Sequence, residues 1–335
     1  MSGSSIAVFF LGGTISMAGH GAGVVSRLGG DELVAAVPQL ASLDVTLDVR
    51  DFRRMPSAGL HFDDIVELVA EAQRADADGV VVVQGTDTIE ETSYLIDLLW
   101  TLDTPVVMTG AMRNPTLAGP DGPANLLAAV QVAASDAFRG AGCLVVLNDQ
   151  VHAARYVRKT HSTSPATFAS PNAGPLGHLV EGVAAAVLSP PPRFTVPRPN
   201  GPVTARVPVV TVTLDDGGEL LAGLADRVDG LVVAAFGVGH VPDTLAPVLG
   251  ELAAAMPVVL ASRTGAGPVL RSTYGFVGSE TDLARRGLIG AGLLDPYKAR
   301  VLLRLLLAGG ADRDAVTAAF AGASAAGPAR YSAPR

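Results

Sequence analysis

Hydroxyl and carboxylate side chains follow three predicted strands in the N-terminal half of the chain, in the turns that come after those strands. They are Thr14 and Ser16 after residues 6–10, Ser57 after residues 45–49, and Thr86 and Asp87 after residues 80–83. A parallel sheet gathers the carboxyl ends of its strands at one edge, where open α/β sheets bind their ligands. The pattern therefore predicts a single polar site built from these groups.

A threonine or serine hydroxyl acts as a nucleophile only when a neighbouring base takes its proton. Histidine is the usual base, but no histidine stands in an HxxxH metal spacing and no GxSxG nucleophile elbow occurs. Lys159, within the polar segment RYVRKTHST, is another candidate, because a desolvated lysine can lose its proton near neutral pH. Asp87 would orient this lysine as a carboxylate orients histidine in a triad. A solvated surface lysine is the alternative.

The stretch from Thr86 to Glu91 also has a reading that needs no chemistry. Thr88 followed three residues later by Glu91 predicts a capping box at the start of a helix. Glu90 and Glu91 suit the first helical turn, where acidic groups stabilise the helix dipole. Capping leaves unexplained why Thr86 and Asp87 occupy the same turn.

Composition narrows the possible functions. The net charge is −8 and no basic run occurs, which argues against a nucleic-acid partner. Cys143 is the only cysteine and stands in an apolar segment, so we expect inert core and no disulfide. The turn at Gly12 and Gly13 lacks the GxGxxG spacing of dinucleotide sites, and we expect neither metal nor cofactor.

The chain starts without a basic segment, and its first apolar run, residues 6–11, is too short for a signal peptide. No apolar segment reaches the roughly 18 residues that a membrane helix needs. These features predict a cytoplasmic protein with no membrane partner.

Strand and helix patterns alternate along the chain and predict an α/β fold. We expect a large N-terminal domain with a mostly parallel, doubly wound sheet, and a smaller C-terminal α/β domain. The proline-rich segment SPPPRFTVPRPNGP is the best linker candidate. The predicted divisions are a catalytic domain at 1–188, a linker at 189–204 and a second domain at 205–335. Predicted elements include helices at 123–138 and 283–288 and a strand at 207–214.

The sequence resembles the bacterial-type L-asparaginase/glutaminase family over nearly its whole length. The motifs are LGGTIS at 11–16, AAVPQL at 35–40, VVVQGTDTIEETSYLIDLL at 81–99, PVVMTGAMRNPTLAGPDGPANLLAAV at 105–130, VRKTHSTSPATF at 157–168, GPLG at 174–177, YGFVGSETDL at 274–283 and DPYKARVLLRLLL at 295–307. The combination of GGTI with GTDTxEET at this separation is highly specific.

The resemblance implies roles by position. Thr14 matches the nucleophilic threonine, and Thr86, Asp87 and Lys159 match a second triad. Ser57 matches the serine that holds the substrate α-carboxylate, and Asp87 also binds the α-amino group. Glu280 falls where the family has a glutamate that reaches a neighbouring subunit's site. The family works without metal or cofactor as dimers or tetramers with shared sites.

Two positions depart from the family pattern. The family usually has a tyrosine in the loop after GGTI, but here no tyrosine precedes Tyr94, and Gly23 stands near the aligned position. Many members have glutamine where this chain has Ala58. Tyr274 of an adjacent subunit is a candidate for the missing phenol; the alternative is that Tyr274 packs within its own domain.

The combined reading is a cytoplasmic homodimeric or homotetrameric L-asparaginase that hydrolyses L-asparagine through an acyl-enzyme. A glutaminase or another amidase on the same scaffold is the nearest alternative, since one methylene contributes only about 1–3 kcal/mol of discrimination. A non-catalytic sensor of asparagine or aspartate is another. A transamidation subunit that acts on aminoacyl-tRNA fits the sequence less well, because the chain has no run of basic residues that would bind RNA.

Overall fold

The computed structural model describes residues 3–13, 17–18, 25–26, 29–190 and 192–325. Its strands are β1 Ser4–Phe10, β2 Met17–Ala18, β3 Val25–Ser26, β4 Val45–Asp51, β5 Gly79–Val83, β6 Val106–Thr109, β7 Cys143–Leu147, β8 Gln150–Ala153, β9 Arg158–Lys159, β10 Phe168–Ala169, β11 Gly177–Val180, β12 Val183–Ala186, β13 Val209–Thr211, β14 Leu231–Ala235, β15 Val258–Ser262 and β16 Ile289–Gly290. Its helices are α1 Gly30–Ala35, α2 Phe62–Ala72, α3 Ile89–Leu99, α4 Gly122–Ala133, α5 Leu245–Ala255, α6 Glu280–Arg285, α7 Pro296–Ala308 and α8 Arg313–Ala325. Contacts divide the chain into two compact units, Met1–Thr195 and Val196–Arg335.

The N-terminal unit is organised around one mixed sheet. Among the described residues its eight strands lie in the order β12-β11-β8-β7-β6-β5-β1-β4. The five strands from β7 to β4 are parallel, whereas β8, β11 and β12 pair antiparallel. The mostly parallel sheet predicted from the strand–helix alternation is confirmed.

The order of the parallel strands creates a crevice at one point of the sheet. After β1 the chain adds β4 on one side, and it then returns to place β5 on the other side. The connections that leave β1 and β5 therefore run to opposite sides, which makes their carboxyl ends a topological switch point. This is where open α/β sheets bind ligands, and it is where Thr86 follows β5.

Helices cover both faces of this sheet, as a doubly wound fold requires. All five residues of β5 are buried. A strand with apolar side chains on both faces, such as this run of valines, is typical of a sheet that is covered on both sides. Val81 and Val83 join the cluster that includes Leu126 and Val130 of α4. On the other face, α2 packs against α3, and the Thr92 hydroxyl of α3 contacts the Met108 sulfur of β6 at 3.9 Å.

The C-terminal unit has a smaller parallel sheet with its own core. Among the described residues its strands lie in the order β13-β14-β15-β16. Leu231 and Val233 of β14 pack with Leu245 and Leu249 of α5 in a separate buried cluster. The predicted smaller α/β domain is confirmed.

Several element boundaries differ from the predictions for local reasons. The helix predicted at 123–138 ends at Ala133, because the Ser135 hydroxyl accepts from the Ala137 N–H and begins a separate 3₁₀ turn. The strand predicted at 207–214 pairs over Val209–Thr211 only. The helix predicted at 283–288 begins at Glu280, after the capping side chain of Ser279, and ends before Gly287, whose φ is +92°. Strands β8, β11 and β12 were not predicted.

Candidate active site

The centre of the candidate site is the turn between β5 and α3. β5 ends at Val83, and the Gln84 N–H donates to the Thr109 carbonyl of β6 at 3.1 Å, so the chain leaves the sheet in a fixed direction. Thr86–Thr88 form one 3₁₀ turn, after which α3 begins. Thr86 is buried, whereas the Asp87 side chain is 68% exposed. The turn thus presents one shielded hydroxyl beside one accessible carboxylate.

Lys159 reaches this turn from β9, 72 residues further along the chain than Asp87. Its ammonium donates to Thr86 Oγ1 at 3.0 Å and to Asp87 Oδ1 at 3.1 Å. The Lys159 side chain is only 16% exposed, which does not fit a solvated surface lysine. The structure therefore brings together the threonine, the aspartate and the lysine that the sequence pattern grouped.

Ser57 lies against the same turn and is buried. A Cβ at Gly85 would lie 2.8 Å from Ser57 Oγ, so glycine is what allows the two turns to approach this closely. Among the described residues, Ser57 Oγ has no hydrogen-bond partner. A buried hydroxyl left in this state is unusual in folded proteins, and a ligand that donates or accepts a hydrogen bond here would satisfy it.

Thr88 connects these elements and does not cap the helix. Its hydroxyl donates to the Ser57 carbonyl at 3.3 Å and accepts from Gln84 Nε2 at 3.3 Å. The Thr88 side chain makes no capping hydrogen bond to α3, so the predicted capping box with Glu91 is wrong. The physical reason is competition, because the hydroxyl is used by partners outside the helix.

Thr14 and Ser16 lie outside the described residues, but the backbone that leads to them is described. The Leu11 N–H donates to the Val83 carbonyl at 2.9 Å, which extends the pairing of β1 with β5 past the strand end. Gly13 has a φ of +98°, and a Cβ there would overlap the backbone of Gly85. The residue before Thr14 therefore packs against the residue before Thr86.

Glu280 belongs to the C-terminal unit and is fully buried. Its carboxylate accepts from the N–H groups of Thr273 and Tyr274, both at 2.7 Å, and lies 3.2 Å from Nε2 of His240. Burial alone would raise the pKa of Glu280, but these hydrogen bonds hold that pKa below its ordinary value.

Glu280 therefore orders the segment that carries two exposed rings. Tyr274 is 44% exposed and Phe276 is 51% exposed. The His240 ring meets each of them edge-on, with both centroid distances at 4.9 Å.

Cys143 is buried, as expected from its apolar segment. Burial raises the pKa of its thiol well above the ordinary value, and the neighbouring Asp97 carboxylate acts in the same direction. Within the described part of the chain, no group of three or more His, Cys, Asp or Glu side chains is arranged to hold a metal ion. No described helix combines the length and the apolar character that crossing a membrane requires.

Two polar residues of the site were missed as functional residues. Gln84 follows the buried valine run directly, and its side-chain amide donates to the Thr88 hydroxyl. A glutamine directly after such an apolar run is the signal in the sequence that could have indicated this role. Glu90 was read only as an acid in the first turn of α3. It accepts from the Lys159 N–H at 3.0 Å, a partner 69 residues away that no local pattern predicts.

Two family models match the chain. The model "Asparaginase, N-terminal" matches residues 5–192, and the model "Glutaminase/Asparaginase C-terminal domain" matches residues 206–320. The two matched ranges fall in the two units of the fold. Together they cover most of the chain.

Individual relatives agree with the family models. A probable L-asparaginase of Deinococcus radiodurans is 38% identical over 265 residues, which cover 78% of this chain and 80% of the relative. L-asparaginase 2 of Escherichia coli is 36% identical over 90% of this chain and 88% of its own length. The crystal structure of a probable cytoplasmic L-asparaginase from Campylobacter jejuni aligns with a TM-score of 0.82 at 31% identity, covering 95% of this chain and 99% of that one.

Proposed function

The chain belongs to the asparaginase family, and we propose that it is an L-asparaginase. It would hydrolyse the side-chain amide of L-asparagine to L-aspartate and ammonia. The observation that carries the proposal is the bridge from Lys159 to Thr86 and Asp87 at the switch point of the sheet. Hydroxyl, ammonium and carboxylate there form the proton-transfer chain that amide hydrolysis needs.

The proposed reaction has two steps. The Thr14 oxygen adds to the amide carbon, its proton is passed through the enzyme to the amide nitrogen, the C–N bond breaks, and ammonia leaves. The resulting ester on Thr14 is then hydrolysed by water, which regenerates the hydroxyl and releases aspartate. Thr86 and Lys159 move the protons in both steps, and Asp87 keeps the Lys159 ammonium in place. Backbone N–H groups near Thr14 and Thr86 would stabilise the oxyanion.

Substrate binding is assigned to the groups that are open to a ligand. The Ser57 hydroxyl is buried without a partner among the described residues, and it would donate to the α-carboxylate. Asp87 uses one oxygen for Lys159 and is 68% exposed, so its carboxylate is accessible to the α-ammonium group. This division explains why a carboxylate at this position can both bind the substrate and hold the lysine.

We further propose a homodimer or homotetramer in which the C-terminal unit of one subunit contributes to the site of another. The support is the exposed ring of Tyr274, on a segment whose backbone is held by the buried Glu280. In this arrangement the fully buried Glu280 would act on the neighbouring site only through the segment that it holds, and Tyr274 would supply the phenol that is missing from the loop after GGTI. Sedimentation velocity on the purified protein tests the assembly, and a monomer at assay concentration contradicts it.

For localisation we propose the cytoplasm. The structure from Campylobacter jejuni is described as cytoplasmic, whereas a Haemophilus influenzae relative that is 34% identical is described as periplasmic. Cell fractionation followed by immunoblotting decides, and recovery of the protein outside the cytoplasmic fraction contradicts the proposal.

Ammonia release tests the activity. Purified protein is assayed with L-asparagine, L-glutamine and a simple aliphatic amide, and the highest kcat/KM is expected with L-asparagine. A higher value with glutamine would reassign the protein as a glutaminase on the same scaffold. Stabilisation by aspartate without ammonia release from any amide would instead indicate a sensor.

A further inference from the structure

We propose that Glu90 is a positioning residue, which holds the backbone of Lys159 so that its ammonium reaches Thr86 and Asp87. The effect on catalysis rests on the proposed function, but the hydrogen bond between Glu90 and the Lys159 N–H belongs to the fold and does not depend on that function. Glu90 lies in the first turn of α3, three residues after Asp87. The same short segment therefore contacts Lys159 twice, once at the side-chain nitrogen and once at the backbone nitrogen.

The contact is short and shielded. Glu90 Oε2 accepts from the Lys159 N–H at 3.0 Å, and the Glu90 side chain is 11% exposed. At the other end of the residue, Lys159 Nζ donates to Asp87 Oδ1 at 3.1 Å. Because both acceptors belong to one rigid segment, they fix the two ends of Lys159 relative to each other. A lysine side chain held at its tip alone would keep much of its rotamer freedom.

The topology explains why such a tether is needed. β9 is two residues long, and within the described part of the chain it pairs only with β10, in a ladder separate from the eight-stranded sheet. No ladder hydrogen bond described here fixes β9 to the strand that precedes Thr86. The carboxylate of Glu90 supplies a direct connection from β9 to the segment after β5.

Glu90 also balances the charge beside the lysine. Arg158 Nε lies 4.0 Å from Glu90 Oε2, and both side chains are largely buried, at 22% and 11% exposure. Among the described residues Arg158 Nε has no hydrogen-bond partner. The single carboxylate thus serves the guanidinium of Arg158 and the backbone of Lys159 together.

The alternative role for Glu90 is a favourable interaction with the dipole of α3, to which any acid in the first turn contributes. Three variants separate the two roles. Glu90→Asp keeps the charge but shortens the reach, so it should break the tether and preserve the dipole interaction. Glu90→Gln keeps an acceptor oxygen at the same reach and loses the charge. Glu91→Gln, in the same turn, is the matched control.

The measurements are steady-state kinetics with L-asparagine and hydrogen exchange at the Lys159 amide, followed by mass spectrometry of peptides that span residues 156–160. We expect Glu90→Asp to lower kcat by about 10- to 100-fold with a much smaller change in KM, because proton transfer depends steeply on position. Exchange at the Lys159 amide should accelerate in this variant. Glu90→Gln should retain most of kcat and protection, and Glu91→Gln should match the wild type.

A wild-type kcat together with wild-type exchange at the Lys159 amide in Glu90→Asp would overturn the inference. Equal losses of kcat in Glu90→Gln and Glu91→Gln would overturn it as well. Failure of the proposed function is distinguishable, since it would appear as a wild-type protein that releases no ammonia. In that case the exchange measurement still decides, because the tether predicts faster exchange in Glu90→Asp whatever the activity. If Glu90→Asp does not fold, Glu90→Ala, which removes the acceptor, is compared with Glu91→Ala: faster exchange at the Lys159 amide in Glu90→Ala alone supports the tether, and equal exchange in the two variants overturns it.

Discussion

Acidification should destabilise the protein through His152, which is buried on β8. Its Nδ1 lies 2.9 Å from Ser170 Oγ and its Nε2 lies 3.1 Å from Gln150 Oε1. A neutral ring that carries its proton on Nε2 satisfies both partners, as a donor to Gln150 and an acceptor from Ser170. Burial, reinforced by the nearby His178, lowers the pKa of His152 to about 4 from the ordinary 6.5.

The direction in which stability changes with pH follows from the number of protons that each state binds. Between pH 6.5 and pH 4 the unfolded chain holds a proton on His152 that the native protein does not hold, so stability falls as the pH falls. The limiting slope is about 1.4 kcal/mol per pH unit, and the whole interval corresponds to about 3 kcal/mol of unfolding free energy. Above pH 6.5 this contribution is constant.

Urea denaturation at a series of pH values measures the effect. His152→Gln keeps a neutral polar side chain that cannot be protonated, so its unfolding free energy should fall less steeply below pH 6.5 than that of the wild type. The exposed His61, substituted as His61→Gln, is the matched control and should follow the wild type. Parallel pH profiles for the wild type and His152→Gln would refute the reasoning, because the buried ring would then not be the group that takes up the proton.

Three further predictions concern the site. Asp87→Asn should lower kcat/KM for asparagine by about 100-fold, with KM raised and kcat lowered, because the carboxylate serves substrate and lysine; an unchanged KM contradicts the binding role. Mixed subunits carrying Thr14→Val and Glu280→Ala should recover about a quarter of the sites in randomly paired dimers, since one site of each mixed dimer is intact; no recovery contradicts a shared site. Tyr274→Phe should reduce turnover strongly with little change in melting temperature, because it removes only an exposed hydroxyl; full turnover would leave Tyr274 without a catalytic role.

The sheet could be predicted where burial dominates the sequence. The valine run of β5 and the segment Cys143–Leu147 are apolar at every position, which fits strands covered on both faces. β8, β11 and β12 escaped prediction because, unlike the equally short β6, none of them is buried at every position. The turn at Asn148 and Asp149 joins β7 to β8, and the turn at Glu181 and Gly182 joins β11 to β12; all four residues have positive φ, which is rare for glutamate.

The grouping of Thr86 with Asp87 could be predicted because both follow one buried strand, whereas Lys159, which lies on the separate β9–β10 ladder, could be grouped with them only through its polar segment and the family motif. The individual hydrogen bonds could not be predicted. Thr88 satisfies every local requirement for a capping residue, yet its hydroxyl bonds to Gln84 and to the Ser57 carbonyl. Glu90 likewise has a sufficient local explanation, and only the fold brings the Lys159 N–H to it. In both cases tertiary partners decide between uses that are equally available to the side chain.

The most direct test of the central claim is the Thr86→Val substitution, assayed by ammonia release from L-asparagine. Valine keeps the shape of the buried Thr86 and removes the oxygen that accepts from Lys159 Nζ at 3.0 Å. Thr109→Val is the matched control, since it removes another buried threonine hydroxyl, which donates to the Val146 carbonyl at 2.7 Å. We predict that Thr86→Val loses about 10³- to 10⁴-fold in kcat while it stays folded, and that Thr109→Val keeps its turnover. Wild-type turnover in a folded Thr86→Val protein would contradict the account.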